Sequence, residues 1–386
     1  GCVHAFYNVC RHRGAELVTE ASGCSRRLVC PYHAWSYGSS GKLLSVPGRE
    51  DNFPELDPAG INLKRIPCVE AHGLVWLCPD ADDDASALAD PNACNGHVEL
   101  CDRRLDEVTM AAAHNSMSST ATGFYLPNHL SSMRAMLEQG VRGFMIDTVY
   151  GRAASDGSVR TSLGLVTVES LDEDARRAAE AVQARQTGDL GPELVYLCHG
   201  FCEIGALDAV SELTELREWL DDNPREVVVL IVQDATEPED TAQAFIDAGF
   251  DELVYTHDPG SPLPTLGEMI ESGRRAFIMV EENGGRVDWL HPAFSLTQET
   301  PFSFASAEEF SCAANRGEPD SPLFVVNHFI TLALPSNQSI NDFGPLLARA
   351  ELCQTERGMR ANLLALDFIG QGDVMAVVDK LNGVDG

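Results

Sequence analysis

Positive charge is scarce in this chain: 27 Lys and Arg stand against 59 Asp and Glu over 386 residues, a formal net charge of −32. Residues 1–79 hold eight Lys/Arg and seven Asp/Glu, so the acidic excess belongs to the remainder. A field of that sign repels nucleic acid and anionic membranes and favours a neutral, zwitterionic or cation-bridged ligand; nucleic acid is therefore not expected as a partner. Long apolar runs are missing too. The longest strongly apolar run, Val227–Val232, is far too short for a transmembrane segment. There is no internal repeat, and no signal peptide is recognisable. The chain opens on Gly1-Cys2 in a strand-like run, which reads as a fragment or processed form. What is present suffices for buried cores: 44% of residues are hydrophobic, and the length suits two domains.

Composition marks the boundary. From Pro79 to Asn95 the sequence runs PDADDDASALADPNACN, clustered Asp, Ala and Pro without periodicity. The expected organisation is a first domain over residues 1–79, an acidic linker over 80–91 and a second domain over 92–386.

The first domain carries Cys10-x-His12, seventeen further residues, then Cys30-x-x-His33. Two thiolates and two imidazoles on paired loops suit a [2Fe–2S] centre, with one iron on Cys10 and Cys30 and the other on His12 and His33. Zinc accepts the same four ligands in tetrahedral geometry. Arg13-Gly14 follows the first box, CPYHAW forms the second, and WSYGSSGKLLSVP reads as strand–turn–strand before a closing strand at 73–77. This pattern resembles the Rieske domain of ring-hydroxylating oxygenases over roughly residues 1–79. The resemblance implies a small all-β fold, here N-terminally truncated, a [2Fe–2S] cofactor and an electron-donor reductase as partner. The extra box cysteines of high-potential Rieske proteins are absent, Tyr32 occupying one such place, which implies a low-potential centre. No D-x-x-H-x-x-x-x-H segment follows, so the mononuclear iron of the oxygenases has no ligand set here.

In the second domain strand-like runs are expected at 108–113, 141–147, 194–198, 226–232, 251–255, 275–281, 323–329 and 362–367. Helices are expected at 128–139, near 172–186, and at 206–222, 239–248, 264–272, 340–357 and 372–382, with 282–322 mostly irregular. Eight strands with mostly helical crossovers suggest a (β/α)8 TIM barrel, and no Gly-rich phosphate fingerprint supports the open doubly wound alternative. The strand ends carry the polar groups: His114 and Asn115, Asp147, His199, Gln233 and Asp234, Glu281 and Glu282, Asn327 and His328, and Asp367. In a closed barrel the last strand lies beside the first, so Asp367 is placed to orient His114. Two histidines on separate strands suit paired acid/base chemistry, and Asn115 with Asp147 could hold a Ca²⁺ or Mg²⁺ ion beside a phosphate.

The segments ELCDRRLDEVTMAAAHNSMS, GVRGFMIDTVYG, VYLCHGFCEIGA, EVVVLIVQD and NLLALDFIGQGD resemble the phosphatidylinositol-specific phospholipase C X-domain, in its phospholipase C-like phosphodiesterase branch, over roughly residues 92–386. The resemblance implies His114 as general base, His199 as general acid and Asn115 and Asp147 on the cation side. Met145 stands where calcium-dependent members have an acid, and Arg152 is the nearby cation that could serve instead. Six cysteines fall in this domain, and 94–101, 198–202 and 312–353 are the simplest of the fifteen possible pairings. Disulfides imply an exported domain, whereas the iron–sulfur ligands imply the cytoplasm. The leading expectation is a phosphoric diester hydrolase of lipid metabolism, acting on a phospholipid such as a phosphoinositide and fused to a Rieske electron-transfer domain. The alternatives are a Rieske-type oxidoreductase with the barrel as scaffold, or a joined chain that is not a natural single polypeptide.

Overall fold

Hydrophobic residues collect into separate cores on either side of the acidic stretch, and the chain accordingly divides into two units, Gly1–Asp90 and Pro91–Gly386. The computed structural model describes residues 5–13, 15–19, 23, 25, 27–38, 41–48, 61–66, 68–71, 74–77, 92–163, 180–184, 188–331 and 339–384. The expected linker at 80–91 lies outside these, as does most of the helix expected near 172–186.

The first unit is built from short antiparallel strands: β1 (Ala5–Phe6), β2 (Leu28–Val29), β3 (Ser36–Tyr37), β4 (Leu43–Ser45), β5 (Arg65–Ile66), β6 (Cys68–Ala71) and β7 (Leu74–Leu77). β1 pairs with β5, β2–β3–β4 form a three-stranded sheet, and β6 pairs with β7. Trp35, Tyr37, Leu17, Leu43 and Leu63 make its small core together with Cys10 and Cys30.

The second unit rests on eight parallel strands in one curled sheet. In chain order they are β8 (Met110–Ala113), β9 (Gly143–Ala154), β13 (Val228–Asp234), β14 (Ala276–Val280), β15 (Leu290–Pro292), β16 (Thr297–Glu299), β17 (Leu323–His328) and β18 (Leu363–Leu366). Their spatial order is β15-β14-β13-β9-β8-β18-β17-β16. The two edge strands, β15 and β16, are separated by a single helical turn, Ala293–Leu296. Residues alternate strictly between two buried layers. Val228, Leu230 and Val232 join the layer shared with the helices, while Val229 and Ile231 join a second, inner layer; Ile278 and Met279, Val326 and Val325, Leu364 and Leu363 divide the same way. A period of two with both faces buried is what parallel strands covered on both sides require. Gly143, opposite Ala112, allows β8 and β9 to approach: a Cβ there would lie 2.6 Å from that of Ala112.

Two expected strands are corrected. The run at 251–255 is instead a 3-10 turn, Phe250–Glu252, because Phe250, Leu253 and Val254 are buried at helical i, i+3, i+4 spacing while Asp251 and Glu252 are exposed. The run at 194–198 belongs to β11 (Leu190–Leu197), which is not part of the parallel set. β9 continues beyond the sheet and pairs antiparallel with β10 (Val159–Thr161) and β11, and β11 pairs with β12 (Leu207–Asp208). In exchange, the stretch expected to be irregular supplies β15 and β16, three residues each and too short for periodicity to register. Within the described residues the other expected helices form, the one expected at 128–139 shortened to Met133–Glu138. Among them Ala209–Asp222 is capped by Asp208, whose side chain accepts from Ser211 N–H, and Leu266–Glu271 opens on a Thr265/Glu268 capping box.

Candidate active site and candidate iron–sulfur loops

Continuing the pleat by one residue past the inner layer places the polar groups. Met110 and Ala112 face inward, so His114 is next; Phe277 and Met279 lead to Glu281, Val325 to Asn327, Ile231 to Gln233. These residues, with Asn115, Asp147, Glu299, Arg316 and Phe329, line a cavity of about 110 Å³. Asn115 would face outward by parity, but its φ of 49° turns it back, and Asn is among the side chains best suited to that left-handed region.

His114 is firmly held. Its Nδ1–H donates to Asp367 Oδ1 at 2.9 Å, the same oxygen accepts from Asn128 Nδ2 at 3.0 Å, and the ring stacks on Phe329 at 3.8 Å. His129 Nε2 donates to the His114 carbonyl at 2.7 Å. Nε2 of His114 is thereby left as the acceptor nitrogen. His199 comes from the antiparallel ribbon, since β11 runs back toward the sheet and ends at Leu197, opposite Thr148. The Asn115 amide donates to His199 Nε2 at 3.1 Å, tying the second histidine to the residue after the first. Burial, and next the neighbouring His114, push the His199 pKa down to about 4.

Asp147 is buried, and burial followed by the charge of Glu281 raises its pKa well above the usual carboxylate range. Arg316 is the cation of the cavity. It bonds Glu281 at 2.8 Å and Glu299 at 2.6 Å and lies over the rings of Phe294 and Phe302. Arg152, the cation expected in this role, stands on the ribbon, where it pairs with Glu193 at 3.6 Å and does not line the cavity. The donors for a divalent cation fall short: Asn115 turns to His199, Glu281 is engaged by Arg316, and Asp147 alone is uncommitted. Among the described residues no three His, Cys, Asp or Glu side chains converge to hold a metal ion. Asp234 and His328 have outward parity and serve the scaffold, Asp234 accepting from Glu282 N–H at 2.8 Å and His328 donating to the Ile340 carbonyl at 2.9 Å. Sequence reasoning missed Arg316, Glu299 and Asn128, which sit on a three-residue strand or in loops.

In the first unit the two boxes form matching loops. Cys10 N–H bonds the Ala15 carbonyl and Cys30 N–H the Trp35 carbonyl, each at 2.8 Å, so both loops close over the same number of residues. Cys10 and Cys30 are free thiols, 1% and 2% exposed, and Tyr37 OH lies 3.4 Å from Cys10 Sγ. Burial opposes ionisation of Cys30, but the N–H groups of His33 and Tyr32 and the Cys10 side chain together lower its pKa. His12 and His33 rings lie 4.6 Å apart. A thiol pair and an imidazole pair, rather than four donors around one point, fit a two-iron cluster better than a single zinc ion.

Residues 167–382 match the PI-PLC X 1 family, and residues 1–67 match the Rieske [2Fe-2S] domain. The chain belongs to the PI-PLC X family. It carries a Rieske domain ahead of that part. PI-PLC X domain-containing protein 1 of Arthroderma benhamiae is 28% identical over 317 residues, 75% of this chain and 90% of the relative. A protein of the same organism described as an uncharacterized secreted protein is 26% identical, over 75% of this chain and 64% of its own length. The large oxygenase component of a 2,4-dinitrotoluene dioxygenase system from a Burkholderia species is 42% identical over 84 residues, 21% of this chain and 19% of that one. The chain thus spans about a fifth of that oxygenase component. The PI-PLC X match begins beyond His114, Asn115 and Asp147. The expected pairings 94–101, 198–202 and 312–353 are all present as disulfides.

Proposed function

We propose that residues 92–386 form a (β/α)8-type barrel that cleaves a phosphodiester with His114 as general base and His199 as general acid. The observation that carries the reading is the pair of contacts Asp367–His114 and Asn115–His199, which ties a second imidazole from another element to the residue beside His114 at the edge of a polar cavity that His114 and Asn115 line. Nε2 of His114 takes the proton of the attacking hydroxyl as its oxygen bonds to phosphorus. The bond from phosphorus to the leaving oxygen breaks, and that oxygen takes its proton from His199. The negative charge of the bound diester offsets the burial that keeps His199 neutral in the free protein. Arg316 is the cationic wall against which the phosphate would be oriented; no step is assigned to a divalent cation.

A phospholipid such as a phosphoinositide is the proposed substrate. Its ring hydroxyl can attack internally, so phosphorus NMR should show a cyclic phosphate before the open monoester. His114→Ala and His199→Ala should each lower kcat by about 10²–10⁴-fold, the usual contribution of one acid/base group. Unchanged turnover in both variants would sink the mechanism.

The first unit supports a second activity. Cys10 and Cys30 would hold one iron and His12 and His33 the other of a cluster that supplies one-electron transfer, with a reductase as donor. Two buried free thiols in a chain whose second unit holds three disulfides favour this reading. The disulfides, together with a relative described as secreted, support an exported origin for the barrel.

A further inference from the structure

The histidine bonded to Asn115 is carried on a covalent ring. After β11 the chain runs Cys198-His199-Gly200-Phe201-Cys202, closed by the Cys198–Cys202 disulfide. Both half-cystines are buried in a small apolar cluster with Val149, Tyr196 and Ala235. Backbone bonds anchor the ring. Cys198 N–H donates to the Asp147 carbonyl at 3.3 Å, Phe201 N–H to the His199 carbonyl at 2.9 Å, and Cys202 N–H to Thr161 Oγ1 at 2.9 Å. Thr161 Oγ1–H in turn donates to Glu203 at 2.7 Å. Gly200 takes a φ of 73°, the left-handed turn that lets so short a ring reverse.

His199 is thus the apex of a five-residue loop whose two ends are fixed to each other and to β9 and β10. Its imidazole meets the Asn115 amide at 3.1 Å, and an error of about 1 Å in such a contact is enough to cost an acid its alignment. Cys94–Cys101 closes a segment that holds neither histidine of the proposed acid/base pair, whereas Cys198–Cys202 encloses His199.

We propose that the Cys198–Cys202 disulfide is a positioning element for His199, so that opening it removes acid assistance to the leaving oxygen while the His114 side of the cavity keeps working. The inference rests on the diesterase reading above. It predicts a leaving-group dependence that general loosening of the fold would not produce. A leaving alcohol that departs unaided needs no proton, so its ester is blind to the ring.

The test uses the full chain and two probes sharing one inositol 1-phosphate moiety, phosphatidylinositol in micelles and the 4-nitrophenyl ester. For Cys198→Ala combined with Cys202→Ala, kcat should fall about 10²-fold on the lipid and within about threefold on the nitrophenyl ester. Cys94→Ala with Cys101→Ala should leave both rates unchanged. Equal losses on both probes, or no loss on either, would overturn the proposal. Wild-type protein inactive on both would instead overturn the diesterase reading itself. Should the 198/202 variant fail to fold, graded phosphine reduction of the wild type, with each pair counted by alkylation and mass spectrometry, replaces it. Lipid turnover must then fall with the 198–202 pair while nitrophenyl turnover persists, and any other relation counts against the proposal.

Discussion

His114 and His199 are neighbours through Asn115 yet lie in different surroundings. His114 has a carboxylate partner in Asp367, itself steadied by Asn128. His199 has a neutral amide in Asn115, and burial leads the causes that bring it down to about 4. A general acid must be protonated to act, so in the free protein the competent form of His199 declines as pH rises through that value. A bound phosphodiester anion favours the imidazolium and moves the transition upward. Because kcat/KM reports the free protein and kcat the complex, the alkaline limb of kcat/KM should lie at lower pH than that of kcat. Steady-state kinetics between about pH 4 and 8 check this, and coincident limbs would deny His199 its role as the acid. At this scale the sequence was readable where an apolar strand runs straight into a polar residue, at His114 and Asp367, and where one interrupts an apolar run, at Asp147. It was silent on Asn128 and Arg316, whose position depends on loops that no periodicity describes.

At the scale of elements, the two-residue period decides more than strand existence. In β13, β14, β17 and β18 it assigns every apolar residue to a layer, and carried one step further it separates Glu281 and Asn327, in the cavity, from Glu282 and His328, outside it. That distinction was available in the sequence as parity alone. What was not available was the identity of the eight strands. A helical i, i+3, i+4 pattern at Phe250, Leu253 and Val254 passed for a strand, an antiparallel ribbon passed for a barrel strand, and β15 and β16 gave too little signal. The pairing of β8 with β9 offers a direct test of register. Any side chain at position 143 meets Ala112, so Gly143→Ala should destabilise the second unit by about 1–3 kcal/mol, the usual cost of overpacking. Because the same two strands carry His114 and Asp147, kcat should fall with it. Urea denaturation with parallel kinetics would show this; an unaltered midpoint would mean the strands are not registered as described.

For the whole molecule the question is how one polypeptide carries two kinds of sulfur chemistry. Cys94, Cys101, Cys198, Cys202, Cys312 and Cys353 are all oxidised in pairs, and Cys10 and Cys30 are thiols facing a potential cluster. Disulfides persist where the environment oxidises, whereas a Rieske centre needs reduced thiolates and delivered iron at assembly. The separate cores remove any physical need for the two units to mature together, since Cys10 and Cys30 lie in the hydrophobic cluster of the first unit and the three disulfides in or against those of the second. The order of events then matters: a cluster loaded first shields Cys10 and Cys30 as ligands, and later oxidation can close the three pairs of the second unit without scrambling. Protein expressed with iron supply and then oxidised should therefore show a [2Fe–2S] absorption spectrum, lost in Cys10→Ser and in His33→Ala. Alkylation after denaturation without reductant should label Cys10 and Cys30 and spare the six cysteines of residues 92–386. The reverse order, oxidation before iron, should leave the second unit active and the first unit without its spectrum. Labelling of all six cysteines of the second unit in fully active protein would overturn this, because the ring around His199 would then be dispensable and no conflict of compartments would remain to be resolved.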